Sequence, residues 1–293
     1  MVKFSVVIPT YNRKGSIIHV LELLEKRVVK GVDLSIIVVV DGSTDGTQDT
    51  IRSSFPGVTM IEGDGSWWWT RSVNEGCKLA VKNGTDAVLL LNDDIQLDNN
   101  YLETLLKSAK KEPNAIIGSL NITREKEGRI FFSGAVKFQW WKGKLQRYHP
   151  FLAPYQKNLS GLHKSVVLPG RGVLIPTEVF EKIGYFDEKA LPQYKADYEF
   201  VLRANKKNIK TLISWDAVIF VDVKATGKGA TFTRQSFLTF FASLFKKNSR
   251  TNPYQNFLYY KRFYPLWALP LFPLTVSWTL IRQFALFLKG RKY

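Results

Sequence analysis

Two adjacent carboxylates, Asp93 and Asp94, follow Asn92 directly after the apolar run "AVLLL". In an extended segment successive side chains point to opposite sides, so one acid can face a crevice while its neighbour turns aside. A carboxylate so placed can hold a hard divalent cation, Mg2+ or Mn2+, against a diphosphate and offset the charge that builds on a leaving group. A solvated loop or a helix cap uses the same residue types. Asp41 closes a second apolar run, "IIVVV". It can accept from a nucleobase N–H or a ribose hydroxyl, or it can cap the next helix, as Ser43, Thr44 or Asp45 could. Asp197, in "KADYEF", has the chemistry of a general base for an attacking hydroxyl, or of a helix cap, with Glu199 as the alternative base. Arg171 sits between glycines in "PGRG", where a backbone can approach a phosphate closely, or is a surface residue. In "GSWWWTRSVNEG" three consecutive tryptophans cannot share one face, so one or two serve the core and at least one can stack on a sugar or base.

The elements around these residues alternate. Residues 4–9, 34–40, 58–61 and 87–91 form short apolar runs, rich in β-branched side chains and stopped by Pro, Gly, Asp or Asn, and they read as buried strands. Between them lie helical patterns: "SIIHVLELLEK", a helix from Thr44, "SVNEGCKLAVKN" and the amphipathic "NYLETLLKSAKK". Four strand-helix repeats of this kind imply a mostly parallel sheet with helices on both faces. Ligands of such sheets bind beyond the carboxyl ends of the strands, which is where Asp41 and residues 92–94 fall. Residues 115–223 are less regular: a hairpin within 129–149, a strand then a helix capped at Thr177, a helix beginning at Asp197, and two strands, "TLISW" and "AVIFVDV".

Charge divides the chain. Of 42 Lys and Arg, twelve lie in residues 224–293, a stretch without a single Asp or Glu. The remainder is close to balanced. The tail is also aromatic. "QSFLTFFASLFKKN" sets Phe237, Phe240, Phe241, Leu244 and Phe245 along one helical face, and an uncharged run extends from Phe263 to Ile281. Pro265, Pro270 and Pro273 interrupt that run, and basic residues flank it. The pattern is that of a helix lying in or partly entering a membrane surface, or of a helical hairpin packed on the domain before it. Nucleic acid would not need such long apolar stretches. One cysteine, Cys77, permits no internal disulfide, and His19, His149 and His163 are too scattered for a Cys/His metal cluster. Both features fit a reducing, cytosolic setting, and the short apolar run at the N-terminus does not resemble a signal peptide.

Taken in order, "VVIPTYNR", "IIVVVDGSTDGT", "GSWWWTRSVNEG", "LLLNDDI", "GRGVLIPTEVFEKIGYFDE" and "KADYEFVLRANKKN" resemble family 2 glycosyltransferases over about residues 3–222. The resemblance implies an inverting enzyme of the GT-A fold (Rossmann-like), with residues 1–114 binding a UDP- or dTDP-sugar and 115–223 supplying the acceptor site and base. The basic tail, 224–293, would then be a helical appendage at the cytoplasmic face of a membrane. By the same resemblance Pro9, Thr10, Tyr11 and Arg13 line the nucleotide pocket and Asp41 reads the base. Trp69, Arg71, Asn74, Asn92, Asp93 and Arg171 contact the donor, and Asp94 binds the metal. Asp197 matches the catalytic base. The sequence departs from the family at Val40 and Asn92, where acids are usual. It also lacks a His after the last core strand, where Asp222 is the nearby substitute. The acceptor would be a glycan hydroxyl, polyprenyl-linked if the enzyme works at a membrane. The overall pattern looks most like transferases of bacterial polysaccharide assembly, rhamnosyltransferases included. Two other classes fit less well: a sugar-phosphate nucleotidyltransferase, whose glycine-rich basic first loop is missing from "PTYNRKGS", and an inactive membrane adaptor that kept the fold.

Overall fold

The structure is a computed structural model that describes residues 2–26, 29, 31–125, 127–139, 144–222, 242, 244–247, 249 and 252–288. Its first half runs β1 (Val2–Thr10), α1 (Lys14–Glu25), β2 (Val32–Asp41), α2 (Thr47–Ser54), β3 (Thr59–Gly63), α3 (Trp68–Lys82), β4 (Ala87–Leu90), β5 (Ile95–Leu97) and α4 (Tyr101–Lys111). Then come β6 (Ile116–Thr123), β7 (Arg129–Phe132), β8 (Ala135–Gln139), β9 (Lys144–Arg147), β10 (Ala153–Pro154), β11 (Leu162–Lys164) and β12 (Val173–Pro176). The remainder is α5 (Thr177–Ile183), α6 (Ala196–Lys206), β13 (Thr211–Val221), α7 (Pro253–Phe263), a 3-10 segment (Leu266–Leu271) and α8 (Phe272–Leu288).

One sheet carries nearly everything, in the order β10-β7-β6-β12-β4-β1-β2-β3, with β13 alongside β6. The pairs β1–β2, β1–β4, β2–β3 and β6–β13 are parallel. β12 is antiparallel to both β4 and β6, so residues 115–223 continue the sheet of the first half. Alternation along the strands builds two cores. Val7, Val39, Val88 and Leu90 pack on one face with α3, α5 and α6 through Val73, Cys77, Phe180 and Phe200. Val6, Ile8, Val38, Val40 and Leu89 pack on the other with α1, α2 and α4 through Leu21, Ile51 and Leu105. That is the two-sided burial which continuous apolar strands require. Helix α3 comes so close that a Cβ on Gly76 would lie 2.4 Å from Val7 Cγ1, hence glycine there.

Several local expectations change. Helix α2 starts at Thr47, because Asp45 Oδ1 accepts from the Thr47 N–H at 3.2 Å and its hydroxyl at 2.5 Å, ending the turn there. Thr177 does not cap α5; its hydroxyl and N–H both donate to the Asp86 carbonyl. The two strands expected in 211–223 are one, β13, over Thr211–Val221, whose register shifts between Ser214 and Val218. His149 and His163, distant from each other in sequence, both face the Trp215 ring, at 5.2 and 3.6 Å between centroids. Phe237, Phe240 and Phe241 lie outside the described residues.

Candidate active site

Three loops meet at the carboxyl ends of β1, β2 and β3. Asn12, held at φ +49°, donates its N–H to Ser43 Oγ and accepts from the Thr44 N–H, which stitches the first loop to the second. Asp41 is buried. Its Oδ1 accepts from the Gly65 N–H at 2.8 Å and its Oδ2 from the Trp67 and Trp68 N–H groups at 3.0 Å each. The carboxylate therefore anchors the start of α3 rather than capping α2, the alternative to its expected contact with the nucleotide base. It also holds Trp68 at φ +58°, a conformation a bulky residue adopts only when its surroundings over-determine it.

The pair at the end of β4 is buried too. Asp93 Oδ2 accepts from the Thr10 hydroxyl at 2.8 Å, and Arg13 Nη1 bridges Asp93 Oδ1 at 3.0 Å and Asp94 Oδ2 at 3.3 Å. Burial raises the Asp93 pKa to about 6 even though Arg13 and Thr10 act in the opposite direction. For Arg13 burial works against the charge, but the two carboxylates outweigh it and keep the guanidinium protonated. Asp94 Oδ1 is buried with no hydrogen-bond partner, and the Asp94 carbonyl accepts from Arg124 Nη2. Val221 pairs with Ile95, so Asp222 and Asp94 are the next residues beyond that pair, just outside the two strands. Among the described residues no group of three or more His, Cys, Asp or Glu forms a metal cage. An unpartnered carboxylate oxygen suits a cation that takes one or two protein oxygens and completes its shell from phosphates and water.

Trp69 joins this pair to the far side of the crevice. Its indole N–H donates to Asn92 Oδ1 at 3.3 Å and its backbone N–H to Gln193 Oε1 at 2.9 Å. Its ring lies over Gly170, where an added Cβ would meet Trp69 Cζ2 at 2.3 Å and Asp197 Cβ at 3.5 Å. Asp197 Oδ2 accepts from the Gly170 N–H at 2.9 Å and Oδ1 from the Tyr198 N–H at 2.9 Å. The dense surroundings raise the Asp197 pKa, and the two N–H groups and nearby Arg171 only partly offset this. The Arg171 guanidinium lies 5.4 Å from the centre of the Phe131 ring, with Nη1 buried and unpartnered. Asp197 is the second residue of α6.

Asn92, Trp69, Gly170 and Asp197 thus form one connected chain of contacts, which the backbone continues from Asn92 to Asp93, Asp94 and their partner Arg13, and from Trp69 back to the Trp67 and Trp68 amides held by Asp41. Tyr11 stands exposed at its edge, Pro9 is half-buried, and Thr10 is buried beneath it. Arg71 is exposed and stacks 4.7 Å over Trp67. Asn74 has a different role: its Nδ2 donates to the Phe186 carbonyl and to Glu188, and its Oδ1 accepts from the Phe186 N–H, so its amide is engaged in holding that loop. Glu199, only 2% exposed, forms ion pairs with Arg203 and Arg262 and is thereby occupied. Gln193, Arg124 and Gly170 carry the site's geometry with no chemical signature of their own in the sequence; only the glycine pattern around Arg171 pointed near one of them.

With this geometry established, relatives add the class. The profile of "Glycosyl transferase family 2" matches residues 5–184, more than half the chain, and the chain belongs to that family. The GalNAc(5)-diNAcBac-PP-undecaprenol beta-1,3-glucosyltransferase of Campylobacter jejuni is 29% identical over 141 residues, covering 46% of this chain and 43% of that protein. The chain thus aligns with less than half of that relative. The crystal structure of GalNAc-T7 with UDP, GalNAc and Mn2+ superposes with a TM-score of 0.62 at 14% identity, covering 83% of this chain and 48% of that one. TarS of S. aureus gives 0.52 at 18% identity, covering 75% and 60%. The fold is GT-A-like, as the sequence motifs implied.

Proposed function

We propose that the chain transfers a sugar, with inversion, from a nucleotide-diphosphate sugar to a hydroxyl of a lipid-linked glycan. The observation that carries this reading is the Trp69 bridge. On one side of it stand Arg13, Asp93 and Asp94, a set that would meet a diphosphate through a divalent cation on Asp94, and on the other stands Asp197. The acceptor oxygen attacks the anomeric carbon, the bond from that carbon to the phosphate oxygen breaks, and the electron pair leaves with the nucleotide diphosphate. Asp197 takes the acceptor proton. Its raised pKa makes it a stronger base than an exposed aspartate, and it works in the ionised form, so the acidic limb of activity lies above the ordinary aspartate range. Asp94, with Asp222 beside it, would hold Mg2+ or Mn2+, which when bound neutralises diphosphate charge. Arg171 and Arg71 are the further cations available to the donor. Asp41 supports the reading by fixing the 63–69 turn, where the exposed Trp68 offers a face for the base or sugar.

A polyprenyl-diphosphate acceptor is supported by the substrate named for the Campylobacter relative. It fits the tail as well. Leu266, Trp267, Leu274, Trp278 and Ile281 are each at least 60% exposed, an apolar surface on a segment free of acids. Such a surface suits an anionic membrane, where Trp side chains settle at the headgroup level. The attachment proposed is to the membrane surface, at the cytoplasmic face; among the described residues no helix is long and apolar enough to cross a bilayer.

Asp197→Asn tests the catalytic assignment. Turnover of donor with acceptor should fall at least a thousandfold while UDP binding, followed by calorimetry with Mn2+, stays within twofold. Retained turnover would remove Asp197 from the mechanism.

A further inference from the structure

The turn that carries Asp197 is held by a helix some sixty residues further along the chain. Lys195, which precedes α6, sits at φ +69°, a conformation that a side chain with a Cβ adopts at a cost and keeps only if held. Helix α7 holds it. Lys195 Nζ donates to Asn256 Oδ1 and lies 5.4 Å from the ring centres of both Tyr259 and Tyr260. One turn along α6, the buried Glu199 carboxylate is reached by Arg262 at 3.5 Å, and the same guanidinium meets Asp187 at 2.5 Å. Further along, Lys206 donates to the Arg262 carbonyl and lies over the Phe263 ring. Lys195, Glu199 and Lys206 follow one another at helical spacing, so α7 lies along one face of α6.

The contact also reaches the core. Tyr259 and Phe263 are buried in the same cluster as Phe200 and Val201. The Tyr259 hydroxyl is buried without a hydrogen-bond partner. Burial first, then the neighbouring Tyr198 and the charge of Asp197, drive the Tyr259 pKa well up.

We propose that α7 is a positioning element of the catalytic centre: Asn256, Tyr259 and Arg262 clamp the first turn of α6 and so hold the Asp197 carboxylate against the Gly170 and Tyr198 amides. This rests on the reading of Asp197 as the base. It gives the C-terminal segment a role in turnover that is separate from any attachment to a membrane.

The test uses the full chain carrying Asn256→Ala, Arg262→Gln or Asn256→Asp, the last keeping an acceptor for Lys195. Residue-resolved hydrogen exchange is measured at Gly170 and Tyr198, with the β2 amides of Val38 and Val40 as the reference. UDP release from UDP-glucose with Mn2+ is followed in parallel. Asn256→Ala and Arg262→Gln should speed exchange at Gly170 and Tyr198 at least tenfold and leave β2 unchanged. They should lower kcat at least tenfold with KM for UDP-glucose within twofold, and Asn256→Asp should restore both. Unchanged exchange at Gly170 and Tyr198 overturns the proposal. A rise that extends equally to β2 overturns it too, because α7 would then add only general stability. If exchange responds but Asp197→Asn turns over like the wild type, the base assignment fails and the clamp is a structural contact alone.

Discussion

At the level of single residues, the site is decided by which carboxylate oxygens are already used. Asp41 spends both of its oxygens on three backbone N–H groups, whereas Asp94 keeps Oδ1 free. Asp94→Ala should therefore weaken Mn2+-dependent UDP binding at least tenfold and leave metal-free UDP binding nearly unchanged. Equal loss with and without Mn2+ would take Asp94 out of a metal role. Asp93 provides a test by pH. Its folded pKa, about 6, lies above the value of 3.8 for a free side chain, so between those values the native state holds more protons than the unfolded state. Stability then falls as pH rises through that window, by about 3 kcal/mol once it is crossed. Asp93→Asn removes the ionisation but keeps an acceptor for Thr10 and Arg13. It should melt several degrees above the wild type at pH 7.5, and thermal unfolding should show that gain vanish near pH 4.

At the level of elements, the geometry depends on close approach between segments distant in sequence. Trp69 at the start of α3 reaches both Asn92 after β4 and Gly170 before β12. A methyl group at Gly170 must push the indole ring away, and overpacking of this sort costs about 1–3 kcal/mol. Gly170→Ala should thus lower the unfolding midpoint modestly but reduce turnover at least tenfold, because the displaced ring and amide both support Asp197. A variant with wild-type kcat would show that Trp69 does not set the base. These couplings follow from β12, which enters antiparallel between β4 and β6 and delivers its preceding loop to the same end of the sheet as residues 92–94.

Across the whole molecule, charge and apolar surface are segregated. The sheet and its helices bury two cores, while the 3-10 segment and α8 leave large apolar side chains outward in a chain of net charge +17. Replacing Trp267 and Trp278 together by Glu should abolish co-sedimentation with phosphatidylglycerol vesicles. The same change should leave the melting temperature within about 2 °C, since exposed side chains contribute little to folding. Persistent sedimentation would mean that another surface makes the attachment.

The sequence by itself determined the strand-helix alternation, the two-faced burial of the sheet and the placing of Asp41 and Asp93–Asp94 at strand ends. These follow from local hydrophobic period and from turn residues, which act over a few positions. The motif around Asp197 singled it out as a candidate, but its hydrogen-bond partners were not legible. Tertiary structure alone decided that Asp41 anchors α3, that Asn74 and Glu199 are engaged elsewhere, and that Trp69 spans from Asn92 to Gly170. It alone brought α7 to Lys195, some sixty residues upstream. Such pairings depend on distances between segments that no local pattern encodes, and they are fixed only when strand order and helix packing bring those segments together.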